Sequence, residues 1–428
     1  RTLARGRYLQ ARSSALPQLT MTGSYTRQLE SIFEGASGGP GPFEPDTTNP
    51  DLLARIRDLE EAIPGAGFHA ISQLFSNSSF ASENSWEASL DLYQKVFQGA
   101  SIWASVAAAG HAVRSAELLL SDREDEVIWN TRRAYLDALL GDRIVRIAEL
   151  GLEQAEIHLR RVRVRHEAGS ASEFELLQAE VARDNQIPEV TRARSARDLG
   201  HLELRRLCNL PDRLPLVLAS NLLDGTLGGE TVAMPDTAVL LAGARQSAQI
   251  EALREMLEAR GHAVTVAGAD RWPELGVFAR LSHQAFPGGA FPDRLDWVRD
   301  KNVGVSLSWS VFDGFLTKGA IEEARAHRTT AALDLARARE AVSNTVTQGF
   351  LELGRSRDEL NSRARTVQLA RRALDLANLR HEEGAGSLLE VTDARIAWQV
   401  ALGNEAQARR DTYAALALLE RYSGRPVF

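Results

Sequence analysis

The chain holds a single cysteine, Cys208, among 428 residues, so no disulfide framework is possible. No Cys/His cluster has zinc-ligand spacing either, and no metal site is expected. Excess positive charge is missing too. A formal net charge of −7 and a pI near 5.8 argue against a nucleic-acid partner held by bulk charge. Of the basic residues only Lys95, Lys301 and Lys318 are lysine, which reads as genome composition. No run approaches the ~18 continuous apolar residues of a membrane-spanning helix, and the best stretches, Ala238–Ala244 and Ala414–Leu419, fall far short. Taken alone, that leaves a soluble or barrel-type protein. Catalytic patterns are absent as well. The His-Glu pairs at 166–167 and 381–382 lack the second His of H-E-x-x-H, no P-loop or G-x-S-x-G occurs, and the glycines at 35–41 sit in a Pro-rich stretch. Neither an enzyme nor a cofactor is expected.

What is present is an internal repeat. The segment from His166, HEAGSASEFELLQAEVA, and that from His381, HEEGAGSLLEVTDARIA, agree at seven of seventeen positions, where average usage predicts about one. The same offset aligns Val96-Phe97-Gln98-Gly99 with Val311-Phe312-Asp313-Gly314, Tyr135-Leu136 with Phe350-Leu351, and Leu204 and Arg206 with Leu419 and Arg421. Upstream, Pro17-Gln18-Leu19 resembles Pro273-Glu274-Leu275, with extra residues in the first copy falling in a Gly/Pro/Ser-rich loop between about Ile32 and Glu83. The repeat thus spans 1–210 and 235–425.

Each copy carries two alternating stretches. Leu19, Met21 and Tyr25 oppose Thr20, Thr22, Ser24 and Thr26, while Trp86, Ala88, Leu90 and Leu92 oppose Glu87, Ser89 and Asp91. In the second copy Leu275, Val277, Ala279 and Leu281 alternate with a polar set that Phe278 interrupts, and Val303, Val305, Leu307, Trp309 and Val311 alternate with Gly304, Ser306, Ser308 and Ser310. These are four amphipathic strands, paired within each copy. The rest is Ala/Arg/Glu/Leu-rich and reads as helix. Val346, Leu353, Leu360, Val367 and Leu374 recur every seven residues, matched by Thr131, Ala138, Val145, Leu152 and Leu159, which is a coiled-coil seam. One more heptad lands on His166 and His381, just before turns at Gly169 and Gly384 that fold two helices back on each other. A helix from Phe97 to His166 runs ~105 Å; Ala171–Asn209 and Pro235–His262 stacked end to end run ~100 Å, so one long helix lies beside two short ones. By the same logic the first copy's short helix begins ahead of Arg1, so some twenty or more further residues, plus any signal peptide, are expected there.

In its order of motifs the chain resembles the TolC family of outer-membrane efflux proteins. The resemblance is carried by Leu16-Pro17-Gln18-Leu19, the Leu307-Ser308-Trp309-Ser310-Val311-Phe312-Asp313-Gly314 junction, the paired helix turns and Leu-Glu-Val-Thr-Asp-Ala at 389–394. It implies a mainly α protein with a membrane β-barrel portion, in the outer membrane of a Gram-negative bacterium with most of the chain in the periplasm. Residues 16–30, 83–96, 273–285 and 301–312 would give four strands to a twelve-stranded barrel of a homotrimer embedded in outer-membrane lipid. Residues 1–15, 97–210, 235–262 and 313–424 would form a periplasmic helical tunnel, 31–82 an extracellular loop and 211–234 an equatorial linker. The implied function is a passive export duct for small molecules or secreted proteins, working with a periplasmic adaptor and an inner-membrane transporter. Four strands alone leave open edges that hydrocarbon does not tolerate, so oligomerisation is required if they span a membrane.

On this resemblance Glu390 and Asp393, with first-copy equivalents Glu175 and Gln178, line a periplasmic constriction, where a carboxylate ring would gather cations. The plain alternative is acids complementing a helix dipole. The turns Gly169–Ser172 and Gly384–Ser387 match the adaptor-docking region, and also follow from turn chemistry alone. His166 and His381 stand where the family often has tyrosine, and Gly386 where it has a constricting arginine. The two histidines either gate with pH or simply cap the seam, and capping is the favoured reading. Trp86, Trp309 and Tyr25 either anchor at the membrane interface or pack on a strand. Two rivals stand beside the channel: a soluble elongated coiled-coil scaffold, which explains the heptads but not the strands, and an enzyme using the acidic pair.

Overall fold

The computed structural model describes residues 1–29, 48, 50–61, 83–211, 216–220, 234–287, 289–293 and 297–423. Most of 31–82 and of 211–234 lies outside them. The chain forms two compact units, one of Thr2–Gly110 with Ala259–His327, the other mainly of His111–Glu258 with Arg328–Phe428.

The first unit is built on a four-stranded antiparallel sheet of β1 (Gln18–Arg27), β2 (Asn84–Gln98), β3 (Glu274–Ala285) and β4 (Trp297–Ser308), in that order. Helix α1 (Thr2–Ser13) precedes it, and α2 spans 52–61. The sequence pairs strands within copies; the structure adds a junction between copies, β2 on β3, with Leu90 opposite Leu281 and Ser89 opposite Ser282. Because side chains alternate, the register separates two faces. Leu19, Met21, Leu90, Leu92, Ala279, Leu281, Val303 and Val305 share one. The other is a polar network: Thr22 and Ser89 hydroxyls lie 2.7 Å apart, and Arg280 reaches Glu87 at 2.6 Å and Asp91 at 3.4 Å. Phe278, the sequence imperfection, has a partner here. It sits opposite Gly304, where an added Cβ would lie 2.6 Å from the ring, so the phenyl covers a bare stretch of backbone.

Aromatic rings gather at one end of the sheet, with Tyr25 and Trp86 centroids 4.7 Å apart and Trp86 and Phe291 5.8 Å apart. Strand-to-helix junctions differ from the sequence expectation. β2 continues to Gln98 with a bulge between Lys95 and Phe97, and β4 begins at Trp297 and stops at Ser308. Each junction then turns on two consecutive left-handed residues, Gly99 (φ 52°) and Ala100 (φ 65°) in the first copy, Gly314 (φ 66°) and Phe315 (φ 69°) in the second. This shared turn delays the long helices to α3 (Ser101–Glu167) and α7 (Leu316–Glu382), rather than starting them at Phe97 and Asp313.

The second unit holds most of α3 and α7, the return helices α4 (Glu173–Leu207) and α8 (Leu388–Ser423), and α5 (Thr237–Ala244) with the first half of α6 (Ala248–Ala267). The expected single helix over 235–262 is therefore two. After Ala244 the hydrogen bonds tighten, Gln246 N–H donating to Gly243 and Ser247 N–H to Ala244, which ends α5. The break lets Leu240 and Ile250 enter one core together with Leu136, Leu139, Val346, Leu353, Tyr413, Leu416 and Leu419. The heptad seam is where the sequence places it. Val346, Leu353 and Leu374 are buried in one copy and Ala138, Val145 and Leu159 in the other, while Leu360, Val367, Thr131 and Leu152 are half-buried.

Candidate pore-mouth site at the helix turns

Both hairpins end in the same turn, dictated by glycine and serine at fixed places. Gly169 (φ 71°) and Gly384 (φ 74°) take the left-handed conformation that only glycine adopts without strain. Ser170 N–H donates to Arg165 O and Gly169 N–H to His166 O, both at 2.8 Å; Ala385 N–H donates to Arg380 O at 2.8 Å and Gly384 N–H to His381 O at 3.1 Å. These paired bonds form a Schellman motif. An added Cβ at Gly384 meets nothing within 4 Å, so its cost is purely conformational. Gly384→Ala is expected to lower stability by about 1 kcal/mol in denaturant unfolding. Gly319→Ala, an open position inside α7, is expected to raise it by about 0.5–1 kcal/mol.

The return helices start on Ser172 and Ser387, whose Oγ atoms accept from Glu175 N–H and Glu390 N–H, each at 3.2 Å. Glu175 and Glu390 thus occupy the third helical position, where a negative charge complements the helix dipole. Glu390 also faces Arg380 across its hairpin at 3.7 Å. Asp393 lies exposed one turn further on, while Glu175 and Gln178 are half-buried in the first hairpin.

His166 and His381 close the turns. Their Nδ1 atoms lie 3.0 Å from Ala171 O and 3.1 Å from Gly386 O, so each must carry its proton there. That donor survives protonation of the ring. Gly386 sits tightly, since a Cβ would stand 3.0 Å from Arg380 Cβ and 3.2 Å from His381 N, while Ala171 holds the corresponding place in the first hairpin.

Sequence reasoning missed two residues of this site, His158 on α3 and Arg395 on α8. The His158 ring lies 6.5 Å from that of His381, so the structure brings one of the two expected histidines together with an unexpected one and leaves His166 apart, in its own turn. Burial above all, helped by Arg395, His381, Arg161 and Arg165, pulls the His158 pKa down to about 4, so it stays neutral at higher pH. Arg161 reaches Glu382 of the other hairpin at 3.6 Å. The repeat carried a faint signal: the offset sets His158 against Ala373 and Arg395 against Glu180, two places where the copies differ in kind.

The family profile described as Outer membrane efflux protein matches residues 1–210 and 243–425, one stretch for each copy. The chain belongs to the outer membrane efflux protein family. The TolC-type resemblance and the outer-membrane location expected from sequence follow from that membership. Within the family the chain is 23% identical over 342 residues to outer membrane efflux protein BepC of Brucella suis, across 78% of this chain and 71% of that protein. Its fold is that of solved outer-membrane channels. The TM-score to the channel OprN is 0.76 at 20% identity, covering 99% of this chain and 84% of that one. To the outer membrane protein VceC of Vibrio cholerae it is 0.75 at 15% identity, covering 100% and 91%. An outer membrane efflux protein with two tandem copies, four strands and long helical hairpins is the architecture described above.

Proposed function

We propose that three copies of the chain assemble into a passive exit duct, each giving four strands to a closed twelve-stranded barrel and its hairpins to a helical tunnel. The observation that carries this reading is the sheet: one face apolar, one face polar, and the outer edges of β1 and β4 without a strand partner among the described residues. In hydrocarbon such edges are tolerated only when they are closed against another copy. The sheet therefore supports a lipid-facing outer wall and a wet interior. Residues 31–82 would face outward and the helices would stand in the periplasm, with 211–234 as a belt between them.

On this reading the turns at Gly169–Ser172 and Gly384–Ser387 dock a periplasmic adaptor that links the duct to an inner-membrane transporter. Cargo, small molecules or secreted proteins, passes without any catalytic step. Glu390 and Asp393, with Glu175 and Gln178 of the first hairpin, line the periplasmic mouth. His166 and His381 hold the turns in shape; because their Nδ1–H bonds persist on protonation, acid does not release them by that route.

Planar-bilayer recordings test the mouth. Neutralising it with Glu390→Gln and Asp393→Asn together is expected to weaken block by a trivalent cation by about tenfold and to lower cation selectivity, because the focused field is lost. Unchanged block would move the constriction elsewhere. Turnover lost on Glu390→Gln would favour an enzyme instead. Recovery of the protein as a detergent-free monomer from a carbonate-washed soluble fraction would favour the coiled-coil scaffold.

A further inference from the structure

Where α3, α7 and α8 come together near the turns they enclose a cavity of about 470 Å³, lined by His158, Arg161, Arg165, Asn378, His381 and Glu382 among others. Its charge is lopsided. Arg161 and Arg165 come from the first hairpin, while the lining carboxylate, Glu382, is already engaged with Arg161. Arg395 stands close enough to His158 to act on it electrostatically, is only 7% exposed, and its Nε has no hydrogen-bond partner among the described residues. The Nε2 of His158 is likewise buried and unpartnered. Leaving such donors dry is costly, and a buried guanidinium without a counter-charge more so.

The two copies differ at this place. In the first hairpin Arg163 of α3 pairs with Glu180 of α4 at 3.3 Å. At the offset positions of the second hairpin stand Asn378 and Arg395. Where the first hairpin has an acid the second has a base, and where it has a base the second has an amide, so among the described residues Arg395 has no ion pair like that of its counterpart.

We propose that this cavity is a binding site for a small oxyanion, phosphate or carboxylate in class, held by His158, Arg161 and Arg165 of its lining, with the charge of nearby Arg395, which does not itself line the cavity, adding to the attraction. Such an ion is received by charge-assisted hydrogen bonds and lies between α3 of one hairpin and α7 of the other. Occupancy would therefore hold the two hairpins together near the tip. The site differs from the acidic mouth at Glu390 and Asp393 in both charge and residues, and it stands whether or not the duct reading does.

Isothermal titration of the detergent-purified full chain with inorganic phosphate, and separately with acetate, at constant ionic strength set by sodium chloride, tests it. Saturable binding of one ion per chain is expected, weakened at least tenfold by Arg161→Gln and also by Arg165→Gln, rim changes that leave the buried packing intact. Histidine NMR is expected to show the His158 pKa rising when the ion binds, because the anion opposes the positive charges of Arg395, Arg161 and Arg165. Binding of phosphate alone identifies a phosphoryl-type ligand, and binding of acetate as well a carboxylate. No saturable heat with either, or binding that survives both substitutions unchanged, overturns the proposal.

Discussion

Val303→Arg is expected to block insertion of the protein into lipid vesicles, measured as the fraction reaching the protease-resistant, heat-modifiable form. Val303 lies mid-way along β4 on the apolar face and is 83% exposed in the single chain. An arginine at the bilayer midplane costs about 2–4 kcal/mol in a barrel, and every copy would bear it. Stability is marginal in any folded chain, so a loss of that size per chain shifts most of the population. The control is Ser24→Arg, on the polar face of β1 and directly opposite Glu87. It places the same side chain where water and a carboxylate receive it, and near-normal insertion is expected. Equal damage from both would mean the two faces do not meet different solvents.

Leu353→Ala is expected to destabilise the helical unit by about 2–5 kcal/mol, read from the shift of the denaturant midpoint. Leu353 is 0% exposed and lies in the cluster with Val346, Leu416 and Leu419 that joins α7 to α8. The space left by its side chain cannot close easily, since Gly349 already brings Leu418 and Leu419 to 3.3 and 3.2 Å of where a Cβ would stand. A tightly seated neighbour relaxes little, which puts the loss in the upper part of that range. Asp358→Ala, exposed on the same helix, is expected to change stability by less than about 0.5 kcal/mol.

Much of this was legible because the signals are local and periodic. Alternation at Val303, Val305 and Leu307 gave both the strand and its apolar face; the seven-residue spacing through Val346 and Leu353 gave the seam; Gly384 and Ser387 gave the turn. Where a boundary depended on one backbone state the reading slipped. Val-Phe-x-Gly looks like a helix start, yet Gly99 and Ala100 are both left-handed and postpone it. The break at Arg245–Ser247 was invisible because α5 and α6 are each good helix, and what separates them is the core that Leu240 and Ile250 share. Phe278 looked like an error in the pattern until Gly304 was found beneath it.

The sequence by itself determined the order of elements, the two-copy plan, which face of each strand is apolar, and the family. All of these follow from residue spacing within a few turns or pleats, or from likeness between copies. Only the tertiary structure decided what happens where the copies meet: β2 beside β3, His158 beside His381, and a basic cavity at the hairpin ends rather than a second ion pair. The physical reason is that such contacts join residues far apart in the chain, whose nearness is set by how two similar units pack. A periodic pattern records which way a side chain points along its own helix or strand. It carries no record of what the other copy places opposite.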